Sequence, residues 1–351
     1  MREGAAAFFG QLSSPVFDVR PRPVPCVLFL SRTCDTDLDG VRDLLAGAGV
    51  RSARLNADEL AGADLVVDTD ERVVRVNGRR LAPTVTWIRH FSVGAIEGGV
   101  DDPAYRLFLQ ESWQATAAQL AAISPVSIGE RRPGPLDQLR LARENGVAVP
   151  KTILATDPTR AREAFACPRL VIKAVHRHFV EASPGRLSGV FPAVVDRDAL
   201  TGDPCPGTPV IVQEYVEHEA EWRVYHVDGR LHAFQVGMVA PADPWTADDR
   251  VEARYAAPPP AVAAATTLLA SAMSLRYGAF DFLVRDGTPV FLEVNPDGDW
   301  RWAERRARTE TVTSAVASML AGLHRAVVPG AFDLLAFLAR TGRGSLREKG
   351  D

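Results

Sequence analysis

The stretch "GAFDFLVRDGTPVFLEVNPDGDW", Gly278 to Trp300, alternates apolar residues around an Asp-Gly pair, then places Glu293 and Asn295 on the returning arm. Alternation around Asp-Gly predicts an antiparallel hairpin. A two-residue loop would put Phe280 on the same side as Glu293, and Asp281 with Leu292, mixing both faces. An odd loop of Arg285, Asp286 and a left-handed Gly287, closing with a G1 bulge, sorts them better. Phe280, Phe282, Val284, Val290, Leu292 and Val294 then share one side. Asp281, Glu293 and Asn295 share the other, with Leu283 and Phe291 beside them. Adjacent carboxylates repel unless a cation lies between them. Three oxygen donors without nitrogen or sulfur point to Mg2+, which substrate phosphates commonly complete. A solvated outer face is the competing reading of this hairpin by itself.

Outward from the hairpin, the order of elements is mixed. "PCVLFLSR", "DTDLDGVRDLLAGAGV" and "SARLNADEL" read as strand, helix and strand, an N-terminal α/β unit. "RVVRVNGRRL" is a hairpin on Asn-Gly, "TVTWIRHF" a further strand, and "DPAYRLFLQESWQATAAQLAAI" a long helix. The breaker-rich "GERRPGP" marks a boundary near residue 130. Helix "LDQLRLARENG" and the strands "VAVPKTILAT", "RLVIKAV", "GTPVIVQEYVE" and "EAEWRVYHVDGRLHAFQVG" follow. An alanine-rich helix spans about 261–275, "ETVTSAVASMLAGLHRA" closes the fold, and "TGRGSLREKGD" reads as a disordered tail. The expected parts are an N-terminal domain over 1–130, a central subdomain over 131–208, a C-terminal subdomain over 209–330 and a terminal segment over 331–351.

Length and composition fit this plan. The 351 residues exceed one ordinary core, and 46% hydrophobic with 24% charged residues is globular usage. A net charge of −4 offers no basic field for nucleic acid. The run "AAAFF" is too short for a signal-peptide core, and no apolar run of about eighteen residues predicts a membrane span. Cys26, Cys34, Cys167 and Cys205 are scattered without metal spacing, which suits free thiols in a reducing cytoplasm.

Lysine is rare: it occurs at Lys151, Lys173 and Lys349, and the other 37 of 40 basic residues are arginine. Lys173 stands inside the strand "RLVIKAV", where a half-buried ammonium needs an anion. A structural ion pair would satisfy it, as would a phosphate, for which lysine is a point charge. "VIVQEYVE" offers a strand end whose backbone can pair with an adenine rim, with Glu221 beyond it to accept ribose hydroxyls.

This ordered set resembles the ATP-grasp superfamily, over about residues 136–323. The resemblance implies an α+β, α/β ATP-grasp fold, preceded by an N-terminal α/β domain. "LDQLRLARENGVAVPKTILATDP", "NPDGDWRWAE" and "EASPGRLSGVFPAVV" are similar to segments of the MvdC/MvdD-like maturases of graspetides (omega-ester-containing peptides). "VTWIRHF" resembles their "W-x-R-R" strand, with His90 for the second arginine. The resemblance implies an ATP-dependent ligase that activates a carboxylate as an acyl phosphate and macrocyclises a leader-bearing precursor peptide through side-chain esters or amides. It assigns Mg2+ to Asp281, Glu293 and Asn295. ATP goes to Lys173, Gln213, Glu214, Tyr215, Val216 and Glu221, and the leader to the segment holding Phe179, Arg186 and Asp196. Arg223 and Arg250 are candidates for stabilising the acyl phosphate, with a surface ion pair as the alternative for each. His176 and His178, near Lys173, read as a base and a substrate contact or as solvated loop residues. One departure stands out. Pro135 occupies the place of the family's first phosphate lysine, leaving Arg131, Arg132 or Lys151 as substitutes, or a protein that binds ATP without turnover. A small-molecule carboxylate–amine ligase and a non-catalytic ATP-binding regulator are the alternative functions. A second copy of the chain stays open as a partner.

Overall fold

The computed structural model describes residues 22–96, 102–130, 132–175, 179–183, 186–189, 191–200, 207–237 and 251–328, with backbone alone for residues 179–188 within those ranges. Arg131, His176, His178, Val190, Cys205, Arg250 and the stretch after residue 328 lie outside the described residues.

Four sheets make up the described chain. The first holds β1 (Val24–Ser31), β2 (Ser52–Asn56), β3 (Leu65–Asp68), β4 (Val73–Val76), β5 (Arg79–Ile88) and β6 (Val126–Ile128), in the order β2-β1-β5-β4-β3 with β6 also on β5. β1 runs parallel to β2 and β5, and β5 parallel to β6. Helix α1 (Asp37–Gly47) follows β1, and α2 (Pro103–Ala122) precedes β6. The Asn77–Gly78 turn takes the left-handed angles its sequence requires, φ 48° and 77°. Beyond it, the two expected segments "RRL" and "TVTWI" form one ten-residue strand. A register shift opposite Cys26–Val27 leaves Thr84 as the extra residue, directly after Pro83, which cannot donate to the ladder.

Helix α3 (Pro135–Glu144) leads into the central sheet, which orders β7 (Thr152–Ala155), β8 (Arg169–Ala174), β11 (Ala193–Asp196) and β12 (Val210–Glu214) as β11-β8-β12-β7. Helix α4 (Pro158–Ala161) lies between β7 and β8. The strands β9 (Phe179–Ser183) and β10 (Arg186–Gly189) pair as a separate antiparallel hairpin. The last sheet is β15-β14-β13-β16-β17, from β13 (Ala220–Val227), β14 (Arg230–Val236), β15 (Ala253–Tyr255), β16 (Tyr277–Arg285) and β17 (Thr288–Asn295). Helices α5 (Pro260–Ala272), α6 (Arg301–Ala307) and α7 (Thr311–Val327) accompany it. No described helix is long and apolar enough to cross a membrane.

The two faces of this last sheet serve different cores. Trp222, Val224, Phe280, Phe282, Phe291 and Val294 pack with α3 and α5. Tyr225, Phe234, Tyr277 and Ala279, on the opposite face, join α6, α7, β1, β5 and α1 in a core shared with the first sheet. The residues just past Tyr225 and Ala279 on that face, toward the central sheet, form the candidate site.

Candidate functional site

The hairpin brings the expected side chains to one face by a different device from the expected one. Arg285 pairs with Thr288, so the loop is the two residues Asp286 and Gly287, both left-handed at φ 51° and 70°. The odd residue sits instead in β17. Asp281 pairs with Glu293 and Phe282 with Phe291, leaving Leu292 as a bulge. The correction has a packing consequence. Phe291 moves to the Phe280/Phe282 side, with ring centroids 6.2 and 5.5 Å away, and Val290 and Leu292 move across to Leu283. A bulge at Leu292 thus buries the largest side chain, phenylalanine, and still leaves Glu293 directly opposite Asp281 and Asn295 opposite Ala279.

On that face a row of charges crosses three strands. Arg223 pairs with Asp281 in register, and its Nη1 donates to Asp281 Oδ2 at 2.6 Å. From the central sheet, Lys173 Nζ reaches Glu293 Oε2 at 3.4 Å. Its side chain is 11% exposed, so the ammonium sits between the two sheets with its anion. Burial pushes the Asp281 carboxyl up; Arg223 opposes this and Glu293 adds to it. Burial likewise pushes Glu221 up, against His218 and with a contribution from Asp281. Crowded carboxylates of this kind fit a hard divalent cation, while Asn295, two residues beyond Glu293, accepts the Asp297 N–H through Oδ1 at 2.9 Å.

Beside the row lies an apolar shelf of Val216, Leu283, Val290 and Leu292. The strand end leading to it is already partly paired. Glu214 N–H donates to the Lys151 carbonyl and Tyr215 N–H to the Arg169 carbonyl. Gln213 is buried, and its amide donates to Thr152 Oγ1 at 2.9 Å, so its side chain serves the sheet. His218, which the sequence did not single out, joins the Val216 carbonyl to Glu221 through its two ring nitrogens, 2.8 Å each.

Gln138 is a second residue missed in the sequence. From α3 it accepts the Val294 N–H through Oε1 at 2.8 Å and donates Nε2 to the Val294 carbonyl at 3.0 Å. One buried amide thereby clamps the peptide between Glu293 and Asn295. Gln138→Met is expected to cost about 1–3 kcal/mol, because both backbone groups lose their partner away from water. Urea denaturation measures it, and a loss under about 0.5 kcal/mol would contradict the clamp.

Of the substitutes for the lysine missing at Pro135, Arg131 lies outside the described residues, and the other two are occupied elsewhere. Arg132 donates to Asp297 Oδ2 at 2.6 Å and to the Gly129 and Ile88 carbonyls. Lys151 Nζ bonds the Ala164 carbonyl and lies 5.5 Å from the Phe165 ring centroid.

The loop after Asn295 is held by the first sheet. Arg89, fully buried at the end of β5, bonds Asp35, Asp37, Asp299 and the carbonyls of Asp297 and Gly298, at 2.7–3.2 Å. Its guanidinium lies 4.5 Å from the Trp300 ring, and Trp300 stacks on Trp87 at 12° between planes. Burial works against the Arg89 charge, yet its carboxylates hold the proton on more firmly than usual. Burial pushes Asp37 up to about 6 in spite of Arg89. Asp299 goes the other way: burial would raise it, but His90, Arg89 and Arg32 hold it well below the usual carboxylate range.

No protein-family model matches the chain, and no curated protein matches it. Solved structures do match. A RiPP-associated ATP-grasp ligase from Chryseobacterium gregarium, in complex with ADP and a leader and core peptide, is 19% identical, covers 85% of this chain and 97% of that one, and superposes with a TM-score of 0.70. The macrocyclase MdnC of Microcystis aeruginosa, bound with the precursor peptide MdnA, is 19% identical over 85% of this chain and 99% of that one, with a TM-score of 0.69. The macrocyclase MdnB of the same organism is 22% identical over 88% of this chain and all of that one, with a TM-score of 0.64. The chain has the ATP-grasp fold over most of its length, as the resemblance of its ordered motifs implied.

Proposed function

We propose that this protein is an ATP-dependent ligase that activates a side-chain carboxylate as an acyl phosphate and joins it to a hydroxyl or amine of a ribosomally made precursor peptide. One observation carries the ligase reading: the row Lys173, Glu293, Asp281, Arg223, beside an apolar shelf, at the junction of two sheets. Phosphoryl transfer to a carboxylate brings anion to anion, so its catalysis is positioning and charge neutralisation.

In this reading the shelf of Val216, Leu283, Val290 and Leu292 takes the adenine face. The segment Glu214–Val216 takes its edge, and Glu221, oriented by His218, takes the ribose. Lys173 leaves Glu293 for a phosphate oxygen. Asp281, Glu293 and Asn295 would hold Mg2+, which supplies charge neutralisation at the phosphates when bound. Arg223, on the same face, stabilises the acyl phosphate, a role that Arg250 would share. The precursor, leader and core peptides bound in the similar structures support the peptide as substrate. The hairpin carrying Phe179 and Arg186, with Asp196 at the end of β11, is our candidate for leader docking. The free thiols Cys26, Cys34 and Cys167 are compatible with a cytoplasmic location.

Lys173→Ala is expected to lower ATP turnover by at least tenfold, and Lys151→Ala by less than threefold, since the Lys151 ammonium is engaged at Ala164. Steady-state ADP release on both variants checks this, and the reverse ranking would give the phosphate role to Lys151. The reading as a whole is tested by co-expression with candidate precursor peptides and intact mass measurement. The expected result is one water lost per ring. An unmodified peptide, together with ADP release driven by a small carboxylate and amine, would replace it with the small-molecule ligase.

A further inference from the structure

Arg89 and His90 are consecutive, yet both bond the same oxygen. Arg89 Nη2 lies 2.7 Å and His90 Nε2 2.8 Å from Asp299 Oδ1. Neighbouring residues of a strand point to opposite sides. The convergence is made by His90, whose backbone turns left-handed at φ 53°. Of the other left-handed residues, Asn77, Asp228 and Asp286 each precede a left-handed glycine in a tight hairpin turn, Arg72 lies in the turn between β3 and β4, and Ser274 and Arg308 lie at the ends of helices. His90 instead lies two residues past the end of β5, outside any hairpin turn or helix end, and its ring is held there by Asp299. It also lies at the carboxyl end of β5, an edge of the parallel strands where open α/β sheets bind their ligands.

The loop that Asp299 belongs to touches the proposed transfer centre on its other side. A β-carbon at Gly298 would collide with the Ala279 Cβ and come within 3.4 Å of Arg223 Nη2, so only glycine lets the loop lie against that arginine. Tyr225 Oη, two residues along β13 from Arg223, donates to the Asp299 carbonyl at 2.7 Å.

We infer that His90, oriented by Asp299 and Arg89, is the general base of the acyl-acceptor step, a role that rests on the ligase reading above. An ionised Asp299 can only accept, so His90 Nε2 carries the proton and Nδ1 is the basic nitrogen. Nδ1 takes the proton of the attacking hydroxyl as that oxygen bonds the acyl carbon. The carbon–oxygen bond to phosphate breaks, phosphate leaves with the electron pair, and the imidazolium returns its proton to solvent. The charged groups around the His90–Asp299 pair are Arg89, the carboxylate of Asp35 and, acting on Asp299, Arg32. An arginine at this position would offer charge but no base.

The test separates activation from acceptance. Hydroxylamine traps an acyl phosphate as hydroxamate without needing a base. The probe is a synthetic peptide with Thr, Lys, Asp and Glu that the wild-type enzyme dehydrates. His90→Asn tolerates the left-handed backbone. It is expected to close rings at least a hundredfold more slowly while hydroxamate formation stays within threefold. The rise of the wild-type ring-closing rate with pH should flatten in this variant. Asp299→Asn, which removes the partner and leaves the ring, is expected to show the same split. Ring closure and hydroxamate falling together would make His90 a structural or substrate-holding residue and overturn the inference, as would unchanged ring closure. A wild-type enzyme that makes neither ADP nor hydroxamate would overturn the ligase reading and this inference with it.

Discussion

Glu293→Gln is expected to lower Mg2+-dependent ADP release about a thousandfold, a loss of about 4 kcal/mol in transition-state stabilisation. Glutamine keeps the shape and removes the charge that Lys173 and Asp281 both meet across the row. The fold should survive. The opposite face of the hairpin is held by Phe280, Phe282 and Phe291, all fully or almost fully buried, each contributing about 1.5–3 kcal/mol through burial. The substitution relieves the Asp281–Glu293 repulsion but leaves the Lys173 ammonium without its anion, so thermal stability is expected to change little. Steady-state coupled assay and thermal denaturation on one preparation check both halves. Near-wild-type turnover would remove Glu293 from the site.

Arg89→Met carries the largest expected effect on stability, about 3–5 kcal/mol. The loss follows from what is left behind more than from what is removed. Asp35 and Asp37 would remain buried without their cation, and the carbonyls of Asp297 and Gly298 without their donor. Because the same arginine stacks on Trp300 and ties the first sheet to the loop after Asn295, its loss should loosen both at once. Urea denaturation measures the change, and a loss below about 1 kcal/mol would mean that water reaches the cluster and solvates the carboxylates.

The grouping of the candidate site residues was legible because it is written within single elements. Asp281, Glu293 and Asn295 share one hairpin, whose alternation demands that they share a face. Lys173 stood out because this chain otherwise uses arginine. The position of the odd residue was not legible. A three-residue turn and a bulge at Leu292 restore parity equally well, and the choice rests on how Phe291 packs against Phe280 and Phe282, a tertiary matter. The Arg89 cluster was hidden for another reason. Its partner Asp299 lies 210 residues away, and a strand-end arginine reads as solvated until the fold brings that loop to it. Gln138 looked like an ordinary helix residue for the same cause, since its partner is the backbone of Val294, and backbone has no signature in sequence. Arg132 shows the converse. Its charge and place suggested phosphate, and only the structure reveals Asp297 as its partner.

In the proposed function, ring formation and ATP cleavage are one reaction at the Asp281–Glu293–Asn295 cluster. Its most direct test is stoichiometry: ADP released and water lost from the peptide, measured on the same sample by coupled assay and intact mass, with Mg2+ and with chelator. One ADP for every water lost is expected, and neither in chelator. Water lost without ADP, or ADP released at an unchanged rate in chelator, would contradict it.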